Sequence, residues 1–480
     1  MALTIEQKPK YQLIAANGDI IFTVKDGNQV ANRVKVKYIG EVYISNKTSQ
    51  LNNNLVSKLK VSPNNAGVGI FDFGPIVRNF VSPDFTGGTV HNTNNINNSE
   101  YNTVQYSETT PHSIHQVDKF STNRNSCRFL RIKFKVESAG NITDAVSDAG
   151  ELQTSLDYVV YNGVLDETDI LALDNNGNYG FNLDEAGFIM NDTNAKFLTN
   201  APTTQYIKNN QYMTMPFFSQ YDEDFVVGAG GTHPSVNTIQ IKFYNSSNSV
   251  LSTVNRAVQA GNGGHAGNMG DSNTRMQFAG IGTGNITGAG SSIPATWSYY
   301  TIQAFANDSG GSSTAVSQLY YIYKQDDDCK GFDNIRLTWL NKFGGWDYYN
   351  FNKKSIKTFT AERTSYTQIK GVWNDTKFRY HGYKGGKKAF TNNITENITI
   401  NTDFITESEA EWLEELFIST DVYIVHDKST DNANEGYIRK YIEPVRLEAS
   451  EHIRKTQTND RLIQYTFSIV KSKNRQTQRV

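Results

Sequence analysis

The chain has little cysteine, almost no net charge and no long apolar run, and each shortage removes a class of function. Two cysteines in 480 residues, Cys127 and Cys329, cannot make a disulfide framework, which needs more of them at regular spacing. They read as reduced thiols that pack like small hydrophobes. A net charge of −2 exerts no global pull towards nucleic acid or an anionic membrane, so no sequence readout of nucleic acid is expected. No window approaches ~18 uninterrupted apolar residues, so no membrane span is expected. The opening residues, MALTIEQKPKYQLIAANG, lack the apolar segment of a signal peptide, and a chain that stays in the cytosol where it is made, or assembles there into something larger, is expected. Heptads and solenoid repeats are missing too.

What is present favours strands. There are 37 Gly, 26 Tyr and 26 Phe, with 38% hydrophobic and 20% charged residues. Aromatics fit the pleated surface and Gly fits the turns. The expected fold is mainly β, with multi-domain antiparallel β-sandwich or barrel domains and one or two short helices. At this length two to four domains are expected. Four segments follow from composition: an N-terminal β domain (1–137), a β-rich connecting region (138–225), a Gly/Ser/Asn-rich β insertion (226–318) and a C-terminal β domain (319–480). Cys127 to Val136, CRFLRIKFKV, alternates as a half-buried strand should, as do Thr238 to Tyr244 and Ser298 to Phe305. Gly74-Pro75 can open a short helix. Gly228–Gly231 and Gly261–Gly290 read as mobile loops.

The densest signal is Gly331 to Phe351, GFDNIRLTWLNKFGGWDYYNF. It reads as a strand from Ile335 to Leu340, a Gly-Gly turn and a second strand from Trp346 to Phe351. Trp339, Phe343, Trp346, Tyr348 and Tyr349 are candidate anchors of a core or an interface. Downstream, Thr406-Glu407-Ser408-Glu409 is a capping box opening a helix over 406–418. Its Trp412, Leu413, Leu416 and Phe417 form one apolar stripe, and Trp412 joins the anchor set.

Candidate chemistry is thin. Asp174, Asn176, Asn178, Asn182 and Glu185 fall on calcium-loop positions within 174–185, but Tyr179 occupies the place where that loop needs Gly, so a hairpin turn is the better reading. Asp326-Asp327-Asp328 reads as a solvated charge run, and His112 with His115 lacks a third ligand. Gly280, Gly282, Gly284 and Gly288 are neither a phosphate loop nor a dinucleotide fingerprint, and read as a flexible loop. Glu407, Glu409, Glu411, Glu414 and Glu415 lie on the outer face of the capped helix and read as solvated. The cations Lys471, Lys473, Arg475 and Arg479 near the end suit an acidic neighbour. No cofactor, metal or catalytic residue is expected.

Several local patterns, in order, resemble a group of tailed-bacteriophage virion proteins of the tail. They are Gly69-Ile-Phe-Asp-Phe73 with Ile76-Val-Arg-Asn-Phe80; Phe197-Leu-Thr-Asn-Ala-Pro202; Cys329 with Arg336 to Asp347; Glu411-Trp-Leu-Glu-Glu-Leu416; and Tyr465 to Val470 followed by Gln476, Gln478 and Arg479. Only 226–318 falls outside, as a variable insertion. The resemblance implies a structural component of the virion, a tail, baseplate or distal-tail-like ring part assembled in the host cytoplasm. It implies homo-oligomeric contacts and contacts with other phage tail proteins, and no enzyme. The alternative is a receptor- or carbohydrate-binding tail module, in which 226–318 presents Trp297, Tyr299 and Tyr300 to host glycans.

Overall fold

A computed structural model describes residues 2–85, 113–117, 120–165, 180–181, 183, 186–218, 236–257, 272–288, 291–307, 313–325, 331–373, 376–427, 442–448 and 463–473. The protein is mainly β, built of several multi-strand sheets with few short helices. It divides into two compact units. The first comprises Met1–Gln325, Leu340–Asp347 and Asp427–Glu435, and the second comprises Asp326–Trp339, Tyr348–His426 and Gly436–Val480.

The first unit opens with a sandwich. A three-stranded sheet runs in the order Thr4–Gln7, Ile21–Lys25, Val68–Asp72. A second sheet runs Leu13–Ala15, Tyr158–Tyr161, Cys127–Ala139, Val34–Ser45, Leu55–Val61, with Ser147–Thr154 also paired to Cys127–Ala139. Alternation along Cys127–Ala139 sends Leu130, Ile132, Phe134 and Val136 inward, as its apolar-basic pattern dictates. Phe22, Phe71, Phe73, Phe134 and Tyr158 form the shared core, with Phe71 and Phe73 stacked at 5.4 Å.

A third, fully buried sheet joins Phe120–Thr122, Met276–Gly280 and Thr214–Phe218. Its three strands come from three of the segments that composition separates. The expected flexible glycine loop is here a strand followed by a helix, Thr283–Gly288. Gly282 is required because a Cβ there would strike the Met213 amide nitrogen, so this glycine serves close backbone packing, not mobility. The helix Gly27–Asn32 was also not expected; the Asp26 side chain caps it by accepting from the Asn28 and Gln29 amides.

The fourth sheet of the first unit runs Thr204–Ile207, Tyr320–Lys324, Tyr299–Asn307, Val236–Tyr244, Val250–Ala257. Its inner face is apolar: Ile239, Ile241, Phe243, Tyr300, Ile302 and Ile322 are all buried.

The second unit is built on one seven-stranded antiparallel sheet. Its order is Trp346–Phe351, Ile335–Leu340, Val422–Val425, Ile442–Leu447, Thr466–Lys471, Gly386–Asn401, Ile356–Gln368. The helix Glu407–Ile418 carries the expected capping box, the Thr406 hydroxyl accepting from the Glu409 amide and Glu409 reaching back to the Thr406 amide. Its Trp412 ring packs at 5.1 Å on Trp339 and at 6.1 Å on Tyr349.

Candidate functional site

The anchors of the aromatic hairpin are core residues. Trp339, Phe343, Trp346, Tyr348 and Trp412 are buried within the chain, and Tyr349 is half-buried between Phe351 and Trp412. The turn is held by a closed polar network. Asn341 Nδ2 donates to the Leu198 carbonyl at 2.9 Å and to Asp347 Oδ1 at 3.2 Å. Asn341 Oδ1 accepts from the Phe343 and Gly345 amides at 3.1 and 2.9 Å. Thr199 Oγ1 donates to the same Asp347 oxygen at 2.7 Å. Gly344, at φ +78°, packs on the Asn162 carbonyl, a conformation and a clearance only glycine meets. Trp346 Nε1 donates to the Asp84 carbonyl at 3.0 Å, and its ring meets His115 edge-on at 4.9 Å. Burial holds the Asp84 carboxyl above the usual carboxylate range, although Ser126 Oγ and the Asn125 and Arg124 amides all donate to it.

Exposed aromatics gather elsewhere. Ile356–Gln368 and Gly386–Asn401 form one long hairpin, paired from Ile356↔Thr399 to Gln368↔Gly386 with one bulge between Thr364 and Ser365. Only Asn397–Asn401 of the second strand pair with Thr466–Lys471. Residues 386–396 and their partners therefore continue as a two-stranded ribbon of about 35 Å, at the usual strand rise. Ile356–Gln368 shows no buried face at all. Around the tip, Trp373 and Tyr383 are 67% and 70% exposed, with Phe378, Tyr380 and Phe390 exposed beside them. Trp373 and Phe378 lie 5.1 Å apart, and Tyr366 and Phe390 lie 6.4 Å apart. Lys370, Lys377, Arg379, Lys384, Lys387 and Lys388 make the tip cationic.

A second exposed set lies on the outer face of the fourth sheet. Of the proposed glycan-stacking residues, Trp297 and Tyr300 are buried and lie on the core side, packed on Phe243 at 6.0 and 5.1 Å. That expectation is corrected: rings enclosed by the core cannot meet a ligand. Tyr299 points the other way. Register pairs it with Tyr323 on one side and Tyr244 on the other, and Tyr323 with Tyr206. Four tyrosines thus form one row across four strands. Centroid separations are 6.2 Å for Tyr206–Tyr323, 5.2 Å for Tyr323–Tyr299 and 4.8 Å for Tyr299–Tyr244, the last pair parallel within 5°. Tyr321 flanks the row, 6.3 Å from Tyr299. Burial against these neighbours, and their proximity, hold the Tyr299 phenol above its ordinary value.

No family model matches the chain, and no curated protein matches it significantly. Solved structures show only weak likeness. The native conformation of the E. coli alpha-2-macroglobulin is 8% identical at a TM-score of 0.19, over 90% of this chain and 23% of that one. The chain thus spans less than a quarter of that protein. A Ca2+-stabilized adhesin of an ice-binding Antarctic bacterium is 7% identical at a TM-score of 0.15, over 84% and 69% of the two chains. The BSP domain of a biofilm associated protein is 11% identical at a TM-score of 0.14, over 83% and 63%. Superpositions this loose carry no argument about fold or function.

The remaining sequence candidates fall as follows. The calcium-loop residues Asp174, Asn176, Asn178, Asn182 and Glu185 lie outside the described residues, as do His112, Asp326-Asp327-Asp328, Cys329, Arg475 and Arg479. Among the described residues no group of three metal-binding side chains occurs, and no helix is long and apolar enough to cross a membrane. Cys127 is a buried free thiol whose pKa burial raises well above the usual value. Lys471 sits 3.1 Å from Glu443 and 3.6 Å from Glu396, ion pairs within its own chain.

The row and the ribbon are what sequence reasoning missed. Tyr320-Tyr-Ile-Tyr323 shows that tyrosines alternate in that strand, but the row exists only through pairings between residues far apart in sequence. The ribbon did carry a local signal. Ile356 to Gln368, IKTFTAERTSYTQ, is strand-like in composition yet has no continuous apolar face to bury.

Proposed function

We propose that the chain is a structural subunit of a tailed-phage virion, a non-enzymatic ring or adaptor component of the tail or baseplate. The observation that carries an assembly role is the ribbon of Ile356–Gln368 and Gly386–Asn401. A two-stranded ribbon is marginal in water by itself, and its exposed rings gain stability only when another surface covers them. Its cationic tip suits an acidic face, and the capped helix presents Glu407 and Glu411 on its exposed side. An arm of one copy on the helix of the next is a head-to-tail contact, and such contacts close into rings when the rotation permits. The resemblance of the hairpin, the capped helix and the last strand to tail proteins supports the virion setting; assembly in the host cytoplasm and contacts with other tail proteins belong to the same reading.

The test replaces residues 369–385 by a two-residue Asn-Gly turn and compares oligomeric state by light scattering and electron microscopy. The full chain should form rings, alone or on isolated tail particles, and the trimmed chain should remain monomeric with an unchanged thermal midpoint. Equal assembly by both chains would sink the arm's role. Labelling of phage particles anywhere but the tail would sink the setting.

A further inference from the structure

We infer that the tip of the ribbon also seats in the headgroup layer of an anionic lipid bilayer. The inference rests on the ribbon being an arm whose tip meets another surface, and it adds lipid as a second acidic surface for the same cations.

Three observations carry it. The first is where the rings are. Ile369, Trp373, Phe378, Tyr380, Tyr383 and Phe390 are all more than half exposed and gather at the far end of the ribbon. The other tryptophans of the chain, Trp297, Trp339, Trp346 and Trp412, are all buried. The chain thus keeps this side chain out of water everywhere but at the tip. Trp and Tyr combine an apolar body with a polar N–H or O–H, the character that settles side chains between acyl chains and headgroups.

The second is charge. Residues 369–390 hold Lys370, Lys377, Arg379, Lys384, Lys387 and Lys388 against one acid, Asp375. Lys387 pairs with Thr367 and Lys388 with Tyr366, so these two cations point from opposite faces of the ribbon. Cations on both faces suit a fluid surface that closes around the tip better than a flat, rigid one. All but Arg379 are lysines. Contacts between proteins favour arginine and are poor in lysine, whereas segments that lie in a bilayer interface combine lysine with Trp and Phe. Anionic headgroups therefore complement both the sign and the kind of charge at the tip.

The third is shape. The tip is the end of a two-stranded ribbon, closed by a bridge between Val372 and Arg379, and is not a groove. Single-stranded nucleic acid, the other polyanion that meets rings and cations, is held in grooves on open ring faces. Here the Trp373 ring is already packed on Phe378 at 5.1 Å, tilted by 52°. Seating in a bilayer interface needs no open ring face, only apolar surface to withdraw from water. The strands behind the tip carry Thr358, Thr360, Thr364, Asn392 and Asn393, which belong in water, so the seat is shallow.

The test floats the full chain with phosphatidylcholine vesicles, with or without about 30% phosphatidylglycerol. The chain should bind only the anionic vesicles and leave them as salt is raised. Acrylamide should quench Trp373, the one exposed tryptophan, less when those vesicles are present. Trp373→Ala should weaken binding about tenfold, and Lys370→Gln and Lys387→Gln about fivefold each, the share of one cation near such a surface. The chain with 369–385 replaced by Asn-Gly should not bind. These side chains are exposed, so each variant should keep the wild-type thermal midpoint, measured alongside. Equal binding to both kinds of vesicle, unchanged quenching, or binding that the trimmed chain retains would overturn the proposal. So would binding of oligothymidylate in place of vesicles, which would make the partner a nucleic acid. The two uses of the tip fail separately. Rings without vesicle binding would overturn this inference and spare the assembly role, and vesicle binding without rings would do the reverse.

Discussion

Two hairpins follow one another in this chain and use aromatic residues in opposite ways. Ile335–Leu340 with Trp346–Phe351 buries its rings, and the ribbon that begins at Ile356 exposes them. The difference lies in what surrounds the rings. At the first turn Asn341, Asp347 and Thr199 satisfy one another and the nearby backbone, so the polar groups enter the core already paired. At the second tip the rings stand among six cations, a charge density that a core would not accept. Aromatic content alone therefore separates neither core from interface nor structure from function; the polar residues between the rings do.

The sharpest way to break this comparison is Trp346→Ala. The ring is 1% exposed, packs on His115 and Phe85, and donates to the Asp84 carbonyl. Its removal should cost about 3–5 kcal/mol, read as a shifted denaturant midpoint. A loss below about 1 kcal/mol, within the range of surface substitutions, would show that the turn is not a core element. Next in size is Asn341→Ala, which strips partners from the Leu198 carbonyl, the Asp347 carboxylate and two backbone amides. It should destabilise by about 1–3 kcal/mol, with Asn341→Asp no better because a carboxylate cannot donate to Leu198. Chemical denaturation of both variants would check this.

The comparison also shows what was legible in the sequence. The mainly β fold, both strands of the aromatic hairpin, the Gly-Gly turn and the capping box at Thr406 follow from local rules, and the structure has them where those rules place them. Whether Trp346 faces a core was not legible, because its partners Asp84 and His115 lie more than two hundred residues away. The glycines at 280–284 misled for a related reason: their role is to clear the Met213 and Val117 backbones, which only the folded chain brings near. Trp297 and Tyr300 were chosen as surface rings on composition alone, while the in-register partners that define the outer row are spread from Tyr206 to Tyr323.

A third test probes the seat of the buried hairpin through pH. Burial raises the Asp84 carboxyl above its unfolded value, so the folded state holds this proton more readily than the unfolded chain. The group's contribution is then fully present below the unfolded pKa and is lost as pH rises through the folded one. Asp84→Asn removes the titration while its amide oxygen can still accept from the Arg124 and Asn125 amides. Relative to this variant, the wild-type chain should lose stability from about pH 4 upward, by about 1.4 kcal/mol for each unit by which the folded pKa is raised. Urea denaturation of the pair at several pH values measures it; a difference that stays constant with pH would mean that the carboxyl beside Trp346 feels no burial.

The smallest expected effect on stability belongs to the ribbon, and it is the counterpart of the first. Trp373 is the same residue type as Trp346, also on a hairpin tip, also donating its indole N–H to a backbone carbonyl, that of Lys370 at 2.9 Å. Yet its ring is two-thirds exposed and packs mainly on Phe378. Trp373→Ala should change the unfolding free energy by no more than about 0.5 kcal/mol, since little apolar surface is withdrawn from water when the isolated chain folds. Its effect should appear instead when copies assemble, because an exposed aromatic covered by a partner becomes an anchor whose truncation costs about 2 kcal/mol or more of association. Thermal melting of the monomer alongside light scattering across a concentration series separates the two quantities. A Trp373→Ala chain that melts early and assembles normally would reverse the assignment, making the tip a folding element and leaving the ribbon without the interface that its exposed rings imply.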